Sequence, residues 1–174
     1  IPESHRRRDA YADHPCPIGH GQTISQPFIV AYMTQRLDLK AGEKVLEIGA
    51  GSGHQSAILA ELGARVFSLE RIPELARQAA STLRAEGYPT VQVRSGDGYE
   101  GWPEESPFDA ILGTCAPEQL PDKLVKQLAD DGRLLLPVGD FGNQRLILIR
   151  KSGGRLTTEE DLAVRFVPML PSNA

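Results

Sequence analysis

Cysteine is scarce in this chain: of 174 residues, only Cys16 and Cys115 carry a thiol. Two cysteines so far apart allow one disulfide at most and exclude a disulfide framework. Neither stands at metal-ligand spacing. The four histidines, His5, His14, His20 and His54, form no His-Glu-x-x-His pattern either, so no metal site is expected. Aromatics make up only 6% of the chain, and Trp102 is the single tryptophan, which supplies no stacking platform for single-stranded nucleic acid. No apolar run approaches the roughly 18 residues of a membrane-spanning helix, and no apolar core of a signal peptide follows the basic start. Positive charge is not in excess: 19 Lys and Arg stand against 23 Asp and Glu, a formal net charge of -4. That balance argues against a non-specific nucleic-acid binder, and Arg6-Arg7-Arg8 reads as a solvated terminal cluster. What is present, 40% hydrophobic and 24% charged residues, suits one globular core. A cytoplasmic, monomeric enzyme without membrane or nucleic-acid partners is the expectation.

Along the chain, residues 1–26 are rich in proline and turn formers and read as an arm, with Pro15-Cys16-Pro17-Ile18-Gly19 too proline-rich for a helix interior. The main domain is expected over 27–174. Phe28, Ile29, Met33 and Leu37 recur at helical spacing after Pro27, with Ser25 as the N-cap candidate. Strands are predicted at 45–48, 65–69, 91–93, 108–112 and 133–138, and helices at 55–62, 73–86 and 121–128. Such strand–helix–strand spacing demands parallel pairing with helices on both faces, an α/β doubly wound sheet. The end differs. Residues 145–149 and 162–167 are strand-like with no room for a crossover helix, which predicts an antiparallel hairpin at one sheet edge.

The strongest local signal is Glu47-Ile48-Gly49-Ala50-Gly51-Ser52-Gly53, between a strand and a helix. Glycines there allow a tight turn and close approach of backbone to a ligand, and the helix N-terminus aims N–H groups at the same crevice. Open α/β sheets bind ligands beyond the carboxyl ends of their strands. Glu70 ends the second strand, where a carboxylate can accept both ribose hydroxyls, and Asp97 follows the third strand in Ser95-Gly96-Asp97-Gly98. Taken singly, each acid is more often a solvated loop-end residue; three at successive strand ends form a pattern. A nicotinamide enzyme wants similar groups, but the third glycine comes one residue too early for Gly-x-Gly-x-x-Gly. Nor does a Tyr-x-x-x-Lys pair or a catalytic histidine follow. An acid-rich crevice without a pyrophosphate loop suits a sulfonium and ammonium ligand, which favours methyl transfer.

Several further segments then agree with one family. Pro17-Ile18-Gly19 and Gly21-Gln22-Thr23-Ile24-Ser25-Gln26-Pro27-Phe28 open the series, followed by Val45 to Gly53. Gly96-Asp97-Gly98, Gly101-Trp102-Pro103, Thr114 with Ala116-Pro117, Leu135-Leu136-Pro137-Val138-Gly139 and Arg165-Phe166-Val167-Pro168-Met169 follow in order. Together they resemble the protein-L-isoaspartate O-methyltransferases, from about Tyr11 to Met169. The resemblance implies a Rossmann-like class I methyltransferase fold with S-adenosyl-L-methionine as cofactor, S-adenosyl-L-homocysteine as product and no metal. It implies Ser25 as the active-site residue and Gln22, Thr23, Ile24 and Ser25 as a loop over cofactor and substrate. Glu47, Gly49, Gly51 and Gly53 would lie on the methionine side of the cofactor, Glu70 on the ribose, Asp97 and Gly98 by the adenine, with Thr114 also lining the site. Thr23, Ser25, Val167 and Pro168 would receive the substrate. Ala50, His54, Phe28 and Cys115 depart from the commoner threonine, tyrosine, tyrosine or histidine, and alanine. Family members usually also carry several dozen more residues, with helices before the Pro-Ile-Gly segment.

The implied reaction moves a methyl group to the free carboxylate of an isoaspartyl residue in damaged proteins or peptides, initiating their repair. Such a carboxylate titrates near ~4 and needs no strong general base. A methyltransferase for RNA or a small molecule would share Glu47, the glycines and Glu70 but has no need of the Thr-Ile-Ser and Arg-Phe-Val-Pro segments. A nicotinamide oxidoreductase or a protein-binding module are the other readings. His20 and His54 read as loop residues beside the crevice, Cys115 as a small lining residue, and Trp102 as packing for the loop after Asp97.

Overall fold

The computed structural model describes residues 12–172; Arg6 to Arg8 and the rest of residues 1–11 lie outside them, as do 173 and 174. The predicted α/β alternation is present. Strands β3 (Lys44–Ile48), β4 (Arg65–Glu70), β5 (Gln92–Ser95), β6 (Phe108–Gly113), β7 (Leu128–Val138), β8 (Gln144–Ser152) and β9 (Arg155–Val164) form one sheet, in the order β5-β4-β3-β6-β7-β8-β9. The first four pairings are parallel, and β7–β8 and β8–β9 are antiparallel. Helices α1 (Pro27–Leu37), α2 (His54–Glu61), α3 (Pro73–Ala85) and α4 (Asp122–Lys126) connect or cover these strands.

Alternation along β3 explains the layering. Val45 packs with Met33 and Leu37 of α1 and Leu59 of α2, whereas Leu46 and Ile48 pack with Phe67, Trp102 and Leu124 on the opposite face. Each strand with core on both sides reads as a nearly continuous apolar run. The C-terminus of α1 is tied to the sheet by buried Arg133. Its Nε donates to the Leu37 carbonyl at 2.6 Å, and its two terminal nitrogens donate to the Glu43 carboxylate at 2.8 and 2.6 Å. A buried guanidinium is tolerable because its donors are answered. The Arg133 hydrogen bonds also hold the Glu43 carboxyl below the ordinary glutamate range.

Three sequence expectations need correction. Residues 16–24 are not irregular: β1 (Cys16–Gly19) and β2 (Gln22–Ile24) form a small antiparallel hairpin. Its tight turn puts Gly19, His20 and Gly21 at positive φ, which two flanking glycines make accessible. The final hairpin turns at Gly153-Gly154, so polar Arg155 to Glu160 belong to β9 while residues 165–167 leave the strand. Both faces of that edge are largely solvated there, so the apolar alternation that would signal a strand is missing. Finally, Ser25 does not cap α1. Gln26 occupies the N-cap position without a side-chain bond, and Asp13 Oδ1 accepts the Phe28 N–H at 3.1 Å instead.

Candidate active site

The glycine run leaves β3 and turns into α2 at the carboxyl edge of the sheet. Gly49 has φ of 98°, and a Cβ there would stand 2.3 Å from the Thr114 hydroxyl oxygen. That hydroxyl donates to the Gly49 carbonyl at 2.7 Å, which fastens the turn to the end of β6. A Cβ on Gly98 would meet Ile48 at 2.7 Å, so its bareness lets the loop after β5 close on the end of β3. Gly49, Gly51, Glu70, Gly98 and Thr114 line one cleft with Gln22 and Thr23 from the N-terminal hairpin and Val167 and Pro168 from the tail. The cleft is concave and mixes apolar with polar lining residues, as small-molecule sites do. The tail is held over the cleft by a short parallel bridge: Ala116 donates to the Val167 carbonyl at 2.9 Å, and Met169 donates back to Ala116 at 2.7 Å.

The loop amides do not all face the cleft. Gly49 and Ala50 N–H groups donate to the Leu69 carbonyl at 2.7 and 3.1 Å, and Gly51 N–H donates to Glu70 Oε2 at 2.9 Å. Glu70 Oε1 accepts from Ile72 N–H at 2.9 Å. Glu70 is thus a brace between the glycine turn and the loop after β4. A carboxylate offers about four acceptor positions, so about two remain beyond these amides.

Other expected residues fall outside the cleft wall. Glu47 points into the sheet–α2 layer and is fully buried. Its Oε2 accepts the hydroxyls of Ser56 and Ser68, the latter at 2.7 Å, while Oε1 has no partner. Burial pushes this carboxyl up to about 7 against the pull of the two serines. The reason is the two-residue strand period: Ile48 faces the cleft side, so Glu47 cannot. Gly53 starts α2, and a Cβ there would meet Leu83 of α3 at 3.0 Å, so its bareness serves helix packing. Asp97 accepts Tyr99 N–H through Oδ1 and Ser172 N–H through Oδ2, each at 2.9 Å, and braces the loop whose neighbours Gly96 and Gly98 line the cleft.

Ser25 and Ile24 border a smaller inner chamber with Thr23, the glycine turn, His54 and Thr114. Burial holds the His54 imidazole below its ordinary pKa, which favours the neutral ring. A third opening, a groove, runs between the start of α1 and residues 162–167. Ser25, Phe28, Arg165 and Val167 line it, together with Thr23 and Thr114. Thr23 and Thr114 therefore border all three spaces, and Ser25 the chamber and the groove. Sequence reading missed Ile48, Leu69, Arg71, Ile72 and Met169 as cleft residues. Ile48 and Leu69 carried a usable signal, being the last apolar residues of their strands; Met169 did not, because only the tail's return places it there. Cys115 lines the cleft, and burial pushes its thiol up to about 12, so it remains protonated.

Comparison with known proteins agrees with this geometry. The protein-L-isoaspartate O-methyltransferase of Gloeobacter violaceus is 54% identical over 163 residues, covering 93% of this chain and 80% of its own. That of Opitutus terrae is 56% identical over 163 residues, covering 93% and 70%. Among solved structures, a putative protein-L-isoaspartate O-methyltransferase from Plasmodium falciparum in complex with S-adenosyl-L-homocysteine superposes with a TM-score of 0.81 at 27% identity, covering 94% of this chain and 83% of that one. Another structure of a protein-L-isoaspartate O-methyltransferase gives 0.83 at 27% identity, covering 92% of this chain and 53% of that longer one. The fold is that of the class I methyltransferases. The family profile of protein-L-isoaspartate(D-aspartate) O-methyltransferases matches residues 1–174, and this chain belongs to that family.

Proposed function

We propose that this chain transfers the methyl group of S-adenosyl-L-methionine to the free carboxylate of isoaspartyl residues in damaged proteins and peptides. The observation that carries the reading is the junction at Thr23 and Thr114, where the cleft lined by the glycine turn and Glu70 meets an open groove beside Ser25. Two bound partners need such a meeting point, and one small-molecule pocket does not.

The residues fit the cofactor. Gly49, Gly51 and Gly98 line the cleft without a side chain, and Glu70 keeps acceptor capacity for ribose hydroxyls. When bound, S-adenosyl-L-methionine supplies a methyl group activated by its sulfonium. The chain's own task is orientation and exclusion of water. Gln22 and Thr23 cover the cleft from the hairpin, while Val167 and Pro168 cover it from the tail. Ser25, relieved of capping α1, offers its hydroxyl to the acceptor carboxylate as a positioning donor. The carboxylate is already ionised at neutral pH, its pKa being ~4, so no proton has to be removed before it attacks.

We extend the proposal to a monomer acting on proteins in the cytoplasm. Its negative net charge and the free thiols of Cys16 and Cys115 support that setting. The test is transfer of label from S-adenosyl-L-methionine to a peptide containing L-isoaspartate, with the aspartyl peptide as control. Base-labile label on the isoaspartyl peptide alone is the expected result; equal labelling of both, or of neither, overturns the substrate assignment.

A further inference from the structure

The transfer step itself makes no use of the outer part of the groove. Phe28, on the first turn of α1, is 51% exposed there although its ring is large and apolar. It stacks on Tyr32 one turn further along, with ring centroids 5.8 Å apart and planes inclined at 26°. Tyr32 is fixed in turn, because its hydroxyl donates to Asp161 Oδ1 at 2.7 Å. Arg36 donates from Nε to Asp161 Oδ2 at 2.7 Å and also pairs with Glu159. The acids of β9 nearest the groove are thus occupied, and the Arg165 guanidinium lies over the Phe141 ring at 5.2 Å. Beside the polar Ser25, Gln26 and Arg165, the groove has an apolar stretch: Phe28 and Ile29 from α1, Leu162 and Val164 from β9.

This surface is continuous with the junction that holds Ser25 and Thr23. An extended peptide rises roughly 3.3 Å per residue and turns alternate side chains to one side. A peptide held at the junction therefore carries a near neighbour of its acceptor residue along the groove. We propose that Phe28, braced by Tyr32 and faced by Leu162 and Val164, forms a subsite for an apolar side chain flanking the isoaspartyl residue. The subsite rests on the isoaspartyl reading above and adds to it the substrate's sequence preference. The Tyr32–Asp161–Arg36 clamp is a positioning device that sets the spacing of the two walls.

The test is a methyl-transfer series with isoaspartyl peptides in which each nearby flanking position is set in turn to Gly, Leu, Phe or Glu. At one position Leu or Phe lowers KM about tenfold relative to Gly, the scale of one well-placed apolar contact, while kcat stays level. Phe28→Ser collapses that ratio and Phe28→Tyr keeps it, with titration of S-adenosyl-L-homocysteine reporting the state of the cofactor cleft in each. If every peptide is methylated equally well by the unaltered chain, the isoaspartyl reading stands and the subsite falls. If no peptide is methylated while the homocysteine product binds, that reading fails and the subsite with it. Sedimentation at assay concentration covers the remaining occupant. A dimer that Phe28→Ser abolishes, together with a flat peptide series, assigns the face to a second copy and overturns the proposal.

Discussion

The two sides of the crevice are built by different means. On the side proposed for the cofactor, neighbouring strand ends fasten one another through short backbone bonds, such as Gly49 and Ala50 to the Leu69 carbonyl and Thr114 to the Ile48 carbonyl. On the side proposed for the substrate, the groove walls belong to α1 and β9, joined by side chains such as Tyr32 and Asp161 that lie 129 positions apart. Rigidity is local in the first case and depends on long side chains in the second. A change in the glycine turn should therefore disable binding outright, whereas a change in the clamp should only loosen it.

The largest effect is expected at Gly49. In Gly49→Ala the new Cβ collides with Thr114 at a backbone angle that disfavours any side chain, so affinity for S-adenosyl-L-homocysteine should fall by about a hundredfold or more, measured by calorimetry. A wild-type affinity there would break the contrast at its stronger end. Ser25→Ala should lower kcat/KM for the isoaspartyl peptide about ten- to a hundredfold while affinity for the homocysteine product stays level, since Ser25 borders the chamber and groove but not the cofactor cleft. Unchanged peptide kinetics would remove Ser25 from the reaction.

Glu47 tests the layer beneath the turn. Its folded pKa of about 7 exceeds the value near 4.5 of an unfolded glutamate, so the folded state holds the proton longer. The stability carried by that proton is fully present below pH 4.5 and is lost as pH rises through about 7. Glu47→Gln should abolish this loss, gaining about 3 kcal/mol over the parent at pH 8 relative to pH 4 in denaturant melts. Parallel curves for the two proteins would show that the site hydrates and that burial costs little. The smallest effect is expected for Asp161→Ala, which frees Tyr32 and Arg36. Peptide KM should rise about threefold with cofactor-side affinity unmoved, a loss typical of partly exposed paired side chains. An equal loss on both sides would merge the two regions into one.

The same contrast explains what could be read in advance. The parallel strands were legible because both their faces are buried, which leaves runs such as Val45 to Ile48, and the turn was legible because its glycines cluster after such a run. The β1–β2 hairpin and the start of β9 were not, because a solvated strand leaves no apolar period. Glu47 shows a finer failure. Its place before the glycines suggests a ligand contact, but strand alternation turns it toward Ser56 and Ser68. Asp13 as the effective cap of α1 had no signal at all, being brought to Phe28 from fifteen positions away.

By itself, then, the sequence determined the α/β alternation, the glycine turn and the acids at successive strand ends, since each depends on residues within a few positions of one another. Tertiary structure alone decided which of those acids face the cleft, which brace it, and that the tail around Val167 returns over it. Those outcomes depend on strand register and on chain segments meeting across the sheet, where side-chain direction and distant packing override local pattern.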